Sequence, residues 1–297
     1  MTKWTARDIP AQAGRSVVVT GANSGLGLIT ARELARAGAR VVMGVRDIGR
    51  GEEAARSIRD EAGEVDVEVR RLDLADQESI QMFADAWDGP LDVLVNNAGI
   101  MAVPQGTTKD GFESQIGTNH FGHFALTNRL LPQITDRVVT LSSTAHRMGR
   151  IDLDDLNWEH RSYNNWAAYG QSKLANLLFT LELQRRLQAS GSPVRAFAAH
   201  PGYAATNLQS HTGNLIQNTA MAVSNRVFAQ SESMGALPSL FAATQDLPGG
   251  SYVGPDRFAE QRGHPTLVSR TAAASDPEVA KDLWLLSEKL TSVGYPL

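Results

Sequence analysis

The sequence predicts an α/β fold, a single doubly wound domain (1–297) with about seven mainly parallel strands and helices on both faces. Three observations carry that reading. Short β-branched runs alternate with helical patterns along most of the chain. Several of those runs are apolar throughout, as in strands covered on both sides. The first run passes through three glycines directly into a helix. A length of 297 residues, 42% of them apolar and 20% charged, suits a substantial core and leaves little room for disorder.

The elements follow in order. "RSVVVT" (15–20) reads as the first strand, and "LGLITARELARAG" as the helix after it, closed by Gly38. "ARVVMGV" (39–45) is the second strand, followed by the charged helix "RGEEAARSIRDEAG", which ends at Gly63. "VDVEVRRL" (65–72) is the third, and Asp76 caps a helix from Gln77 to about Trp87. "LDVLV" (91–95) is the fourth and runs into "NNAG". A helix is expected from about Gly111 to Leu131, then a fifth strand, "DRVVTLS" (136–142). A helix from about Trp166 to Gln188 leads to "PVRAFAAH" (193–200), the sixth, and "GGSYVGP" (249–255) gives a short last strand. A C-terminal helix is expected at about 277–290. Residues 204–226 break the alternation in a polar, Gly- and Asn-containing stretch where a substrate lid would fit.

Composition narrows the function. A net charge of −4 gives no electrostatic case for nucleic acid. The chain has no cysteine, so disulfides, thiolate metal sites and cysteine nucleophiles are excluded. No apolar run approaches the roughly 20 residues of a membrane span, and the N-terminal stretch has no apolar segment of the secretory kind. A cytoplasmic location is the expectation.

Two stretches carry chemistry. Gly21, Gly25 and Gly27 join strand to helix with the spacing G-x-x-x-G-x-G. Such a turn lets backbone N–H groups approach a pyrophosphate at a helix N-terminus. The second strand ends at Val45 and is followed by Arg46 and Asp47. An arginine here accommodates a 2′-phosphate, so NADP(H) is expected over NAD(H), with Asp47 a helix cap or a ribose ligand. In "AAYGQSKLANLL", Tyr169 and Lys173 share one helix face. A protonated lysine beside a phenol favours the phenolate and lowers its pKa from about 10.

Together these stretches resemble the short-chain dehydrogenase/reductase family. The matching motifs are "TGANSGLG" (20–27), "LDL" (72–74), "NNAG" (96–99), Asn119 in "GTNHFGHF", "LSS" (141–143), "YGQSK" (169–173) and "HPGYAAT" (200–206). They occur in family order over about two-thirds of the chain, and "NHFGHFALT" is most similar to the retinol-dehydrogenase-like branch. The resemblance implies a Rossmann-type fold and hydride transfer between a nicotinamide and an alcohol/carbonyl pair. Tyr169 would then be the proton donor or acceptor, and Lys173 would tune it and bind the nicotinamide ribose. Ser143, rather than Ser142, would hold the substrate oxygen, and Asn119, through its side chain or backbone carbonyl, would hold a water linking Lys173 to solvent. The cofactor would lie along Gly21, Asn23, Ser24, Gly25, Leu26 and Gly27, beside Arg46, Asp73 and Leu74. It would continue past Asn97, Ala98 and Gly99 to Pro201, Gly202 and Thr206. Asp73 also reads as a turn or cap residue. Family members are often homodimers or homotetramers.

The 26 residues from Ser143 to Tyr169 exceed the usual family spacing, so "RMGRIDLDDLNWEHRSYNNW" is expected to overhang the site. With the 204–226 segment and the C-terminal helix, this loop should line a pocket for a lipophilic small molecule. Other constellations fare worse. His120 and His123 lie three apart without HExxH or an acidic cluster, so they read as packing residues and no metal is expected. Ser143 with His146 lacks the G-x-S-x-G elbow of a serine nucleophile. A non-catalytic dinucleotide sensor or scaffold and a reductase of conjugated C=C bonds are the alternatives.

Overall fold

The computed structural model describes residues 3–203 and 230–297. The expected lid and Thr206 lie outside the described residues. One sheet of eight strands runs in the order β3-β2-β1-β4-β5-β6-β7-β8. β1 (Ser16–Thr20), β2 (Arg40–Val45), β3 (Val67–Arg71), β4 (Leu91–Asn96), β5 (Ile134–Leu141), β6 (Arg195–Ala199) and β7 (Tyr252–Arg257) pair in parallel. β8 (Arg262–Leu267) closes the edge antiparallel to β7.

Each strand feeds both faces. Val17 and Val19 pack with Leu34 of α1 (Gly25–Arg36) and Ile58 of α2 (Ile48–Ala62). Val18, between them, packs on the other face with Ile80 of α3 (Gln77–Asp85) and Leu94 of β4. This period-two division of fully buried side chains produces helices on both sides.

Three features depart from the sequence reading. The helix expected from Gly111 begins later, as α4 (Ser114–Ile116), and passes through a π-helical turn (Gly117–Phe121) into α5 (Gly122–Leu130). After α6 (Asn165–Ala189), a helix that the sequence did not suggest, α7 (Glu232–Thr244), packs on α1 despite Pro238 in its interior. β8 reads "RGHPTL" and has no apolar run; Pro265 is tolerated because the strand lies at an edge. The turn before it places Phe258, Ala259 and Glu260 in the left-handed region without a glycine, so no hairpin signal appears in the sequence. The expected C-terminal helix is present as α8 (Pro277–Thr291), which turns Trp284 into the core, stacked on Phe179 at 5.6 Å.

Candidate active site

Because β1, β4, β5 and β6 are parallel neighbours, the segments leaving them emerge along one edge of the sheet, and the strand order reverses between β1 and β4. Ligands of open α/β sheets bind at such a reversal. The turn after β1 is shaped for close approach. Gly21 has φ +65°, and a Cβ there would stand 2.9 Å from the Ala98 Cβ. A Cβ on Gly27 would stand 2.5 Å from the Gly21 carbonyl oxygen. Ser24 occupies the N-cap of α1 without a side-chain cap bond, so the first-turn N–H groups keep their capacity for an anion. Asn23 and Gly25 line the turn half-buried, while Leu26 is buried behind it. The residues present therefore fit a dinucleotide pyrophosphate.

Arg46 follows β2, exposed, and makes no ion pair or hydrogen bond among the described residues. Asp47 is the N-cap of α2, its side chain accepting from the Arg50 N–H. Asp73 accepts from the Ala75 N–H through Oδ1 in a local turn. Leu74 is buried in the core. Asn97 Nδ2 donates to the Thr20 carbonyl at 2.7 Å, tying the "NNAG" loop to β1. Gly99 faces the Lys173 ammonium, with a would-be Cβ 3.4 Å from Nζ. Pro201 accepts from Gln230 Nε2, and the Gly202 N–H donates to His200 Nδ1.

The four residues expected to act on substrate come from three elements. Ser143 N-caps a short 3-10 turn (Thr144–Met148) after β5. Tyr169 and Lys173 lie on α6, and Asn119 lies in the π-helical turn. Gly149 and Gly170 allow the 3-10 turn to press on α6 one residue beyond Tyr169; a Cβ on Gly149 would stand 2.3 Å from the Gly170 carbonyl oxygen. The Tyr169 phenol is buried, with the Ser143 hydroxyl near enough to favour its ionised form. Ser142 instead donates to the Lys173 carbonyl at 2.8 Å, so the two adjacent serines have different tasks. Lys173 Nζ donates to the Leu141 carbonyl and stands 5.8 Å from the centre of the Tyr169 ring.

One expectation is corrected here. Burial pushes the Tyr169 phenol up to about 12, against the smaller opposing effect of the neighbouring Ser143 hydroxyl. Burial also pushes the Lys173 ammonium down to about 8. Desolvation disfavours both charged forms and outweighs the downward pull on the phenol that the i, i+4 spacing suggested. The Asn119 side chain is also fully engaged: Oδ1 accepts from the Ile100 N–H, and Nδ2 donates to the Ile100 carbonyl and Ser172 Oγ. Both side-chain donors are used, and the backbone carbonyl, the other group expected to hold the water, keeps a second lone pair beside His123 Nδ1.

Two polar networks were not read from the sequence. Buried Glu113 accepts from the Gln115 and Ile116 N–H groups and from the Tyr163 hydroxyl. This fastens the inserted loop beside Tyr169, and Trp166 from that loop meets the Tyr169 ring edge-on at 6.2 Å. The second network runs from Thr20 through His123 to the Asn119 carbonyl. The His-x-x-His spacing was its only sequence signal. His120 turns away to Ser287 of α8, so the two rings face different partners.

Comparison with known proteins agrees with this geometry. The family model described as short chain dehydrogenase matches residues 15–215. Retinol dehydrogenase 13 of Homo sapiens is 43% identical over 296 residues, covering 95% of this chain and 86% of that protein. Polyprenol dehydrogenase of Mus musculus is 40% identical over 300 residues, covering 96% and 86%. A solved structure of an uncharacterised protein from Mycobacterium paratuberculosis is 56% identical, with a TM-score of 0.86 and full coverage of both chains. The strand order, the glycine turn and the Ser–Tyr–Lys grouping thus have one explanation: the chain belongs to the short-chain dehydrogenase family, in its retinol-dehydrogenase-like branch.

Proposed function

We propose that this protein is an NADP(H)-dependent oxidoreductase that interconverts a lipophilic alcohol and its carbonyl, with Tyr169 Oη as the proton donor or acceptor. The observation that carries the reading is the buried Tyr169 phenol beside Ser143, with Lys173, one helical turn away, facing Gly99 of the "NNAG" loop. A bound nicotinamide dinucleotide supplies the hydride. Gly21–Gly27 and the start of α1 hold its pyrophosphate, Arg46 takes the 2′-phosphate, and Asp73, Leu74 and Asn97–Gly99 flank the adenosine. Pro201, Gly202 and Thr206 serve the nicotinamide end.

During reduction Tyr169 Oη–H donates to the substrate oxygen, and Ser143 Oγ stabilises the charge developing there. The resulting phenolate is favoured by the neighbouring Lys173 ammonium and regains its proton from solvent before the next turnover. The half-buried Trp166, edge-on to Tyr169, supplies an apolar wall. Two relatives are named as dehydrogenases of retinol and polyprenol, both apolar alcohols. That supports a lipophilic substrate for this chain.

The test is consumption of NADPH and NADH with apolar aldehydes, ketones and enones at neutral pH. Turnover of aldehydes or ketones, faster with NADPH, is expected. Preference for NADH would overturn the assignment of Arg46. Turnover confined to enones would identify a C=C reductase, and tight NADPH binding without turnover a sensor.

A further inference from the structure

We propose that His123 is a positioning residue whose two ring nitrogens join the cofactor loops to the Asn119 carbonyl, and that it works only as the neutral Nδ1–H tautomer. The inference rests on the reading of the glycine turn and the "NNAG" loop as the dinucleotide cradle. Its basis is the assignment of one proton after another. Thr20 Oγ1 accepts from the backbone N–H groups of Asn97 and Ala98, both at 2.9 Å. Its own hydrogen has two places to go, the Val95 carbonyl at 3.5 Å or His123 Nε2 at 2.9 Å. The shorter contact takes it, since hydrogen bonds weaken steeply at the longer distance. His123 Nε2 is then an acceptor and Nδ1 carries the ring hydrogen. Nδ1 lies 3.0 Å from the Asn119 carbonyl oxygen, which can only accept.

Every group in this chain has the role its neighbour requires, and the environment holds the ring neutral. His123 is buried, and desolvation with the nearby Lys173 charge pushes it down to about 4, against the Asn119 bond. What the ring joins is specific. Thr20 immediately precedes Gly21 of the phosphate turn, and its hydroxyl fixes the loop whose Gly99 abuts both Asn119 Oδ1 and Lys173 Nζ. At the other end, Asn119 lies in the π-helical turn, where Gly122 N–H reaches back to the Gly117 carbonyl. Such turns disturb the regular i→i−4 pairing and mark functional sites. The Asn119 carbonyl is satisfied there by the histidine ring. His123 therefore sets the position of the cofactor loop relative to the Asn119–Lys173 end of the site.

The two arms separate by substitution. In His123→Asn the amide Nδ2 can still donate to Asn119, while the Thr20 arm is lost. In His123→Gln the Oε1 can still accept from Thr20, while the Asn119 arm is lost. His123→Phe removes both. NADPH affinity, read by the fluorescence of the bound dinucleotide, and kcat should therefore cross over. Asn should weaken NADPH binding roughly tenfold with kcat largely kept, Gln should lower kcat roughly tenfold with binding kept, and Phe should do both. Independently, the imidazole ¹⁵N shifts of the wild-type protein should show Nδ1 protonated and Nε2 bare, with no titration between about pH 5.5 and 8.

An Nε2–H tautomer, or a Phe variant with wild-type affinity and kcat, would overturn the proposal. Parallel loss of both parameters in Asn and Gln would also overturn it, because that is the signature of packing alone. A wild-type chain that takes up neither NADPH nor NADH would overturn the functional reading itself. The ¹⁵N tautomer would then still decide the hydrogen-bond wiring.

Discussion

Tyr169 is harder to ionise in this fold than in water, and that fixes how its rate should vary with pH. With the phenol at about 12, Oη keeps its proton throughout the neutral range. Carbonyl reduction, which needs a donor, should be nearly flat between about pH 6 and 8, whereas alcohol oxidation, which needs a base, should rise with pH. Rate profiles in both directions would check this, and a reduction rate that falls away below pH 7 would contradict it. Lys173 gives a matching prediction for stability. Its folded value of about 8 lies below the ordinary one near 10.4. Between those values the unfolded chain binds more protons, so stability rises with pH; below about 8 both states are protonated and the full burial penalty applies. Lys173→Met should flatten that rise, by up to about 3 kcal/mol, in urea unfolding followed across pH. Arg46→Ala should raise the KM for NADPH roughly ten- to hundredfold and leave NADH little changed, because only the phosphate contact is lost. At this scale the sequence suggested which side chains share a helix face and misjudged their ionisation. Spacing shows which side chains meet, but the burial that sets their pKa values comes from Ala168, Leu174 and other neighbours that the motif does not specify.

Between elements, the inserted loop is tied to the start of α4 by one buried carboxylate. Glu113, at the N-cap of α4, holds Tyr163 while buried beneath the loop, and burial raises its pKa against three hydrogen bonds. Glu113→Ala strands the Gln115 and Ile116 N–H groups and should cost about 2–3 kcal/mol in urea unfolding. Glu113→Gln, which keeps an acceptor, should cost less and chiefly raise the KM for bulky substrates. Equal stability of the wild type and Glu113→Ala would remove the clamp from the account. The helices and parallel strands were legible because caps such as Asp76 and apolar runs such as Val17–Val19 are local signals. α7 was hidden by Pro238, β8 by its polar edge position, and the π-helical turn because no residue pattern distinguishes it from α-helix.

For the whole molecule, the sheet order brings four segments from distant parts of the sequence to one edge, and that convergence is what makes a site of them. Alternation of strands and helices predicted this architecture, since right-handed crossovers leave few arrangements for such a chain. It could not predict that Thr20, His123 and Asn119 would be joined, because their contacts depend on the register of β1 against β4 and on the unwinding of one helical turn. The most direct measurement is oxidation of bound NADPH by an apolar aldehyde in the wild type and in Tyr169→Phe, with NADPH affinity determined on the same samples. A loss of roughly 10²- to 10⁴-fold in rate with affinity retained is expected. A Tyr169→Phe variant that oxidises NADPH at the wild-type rate would contradict the proton role at the centre of this reading.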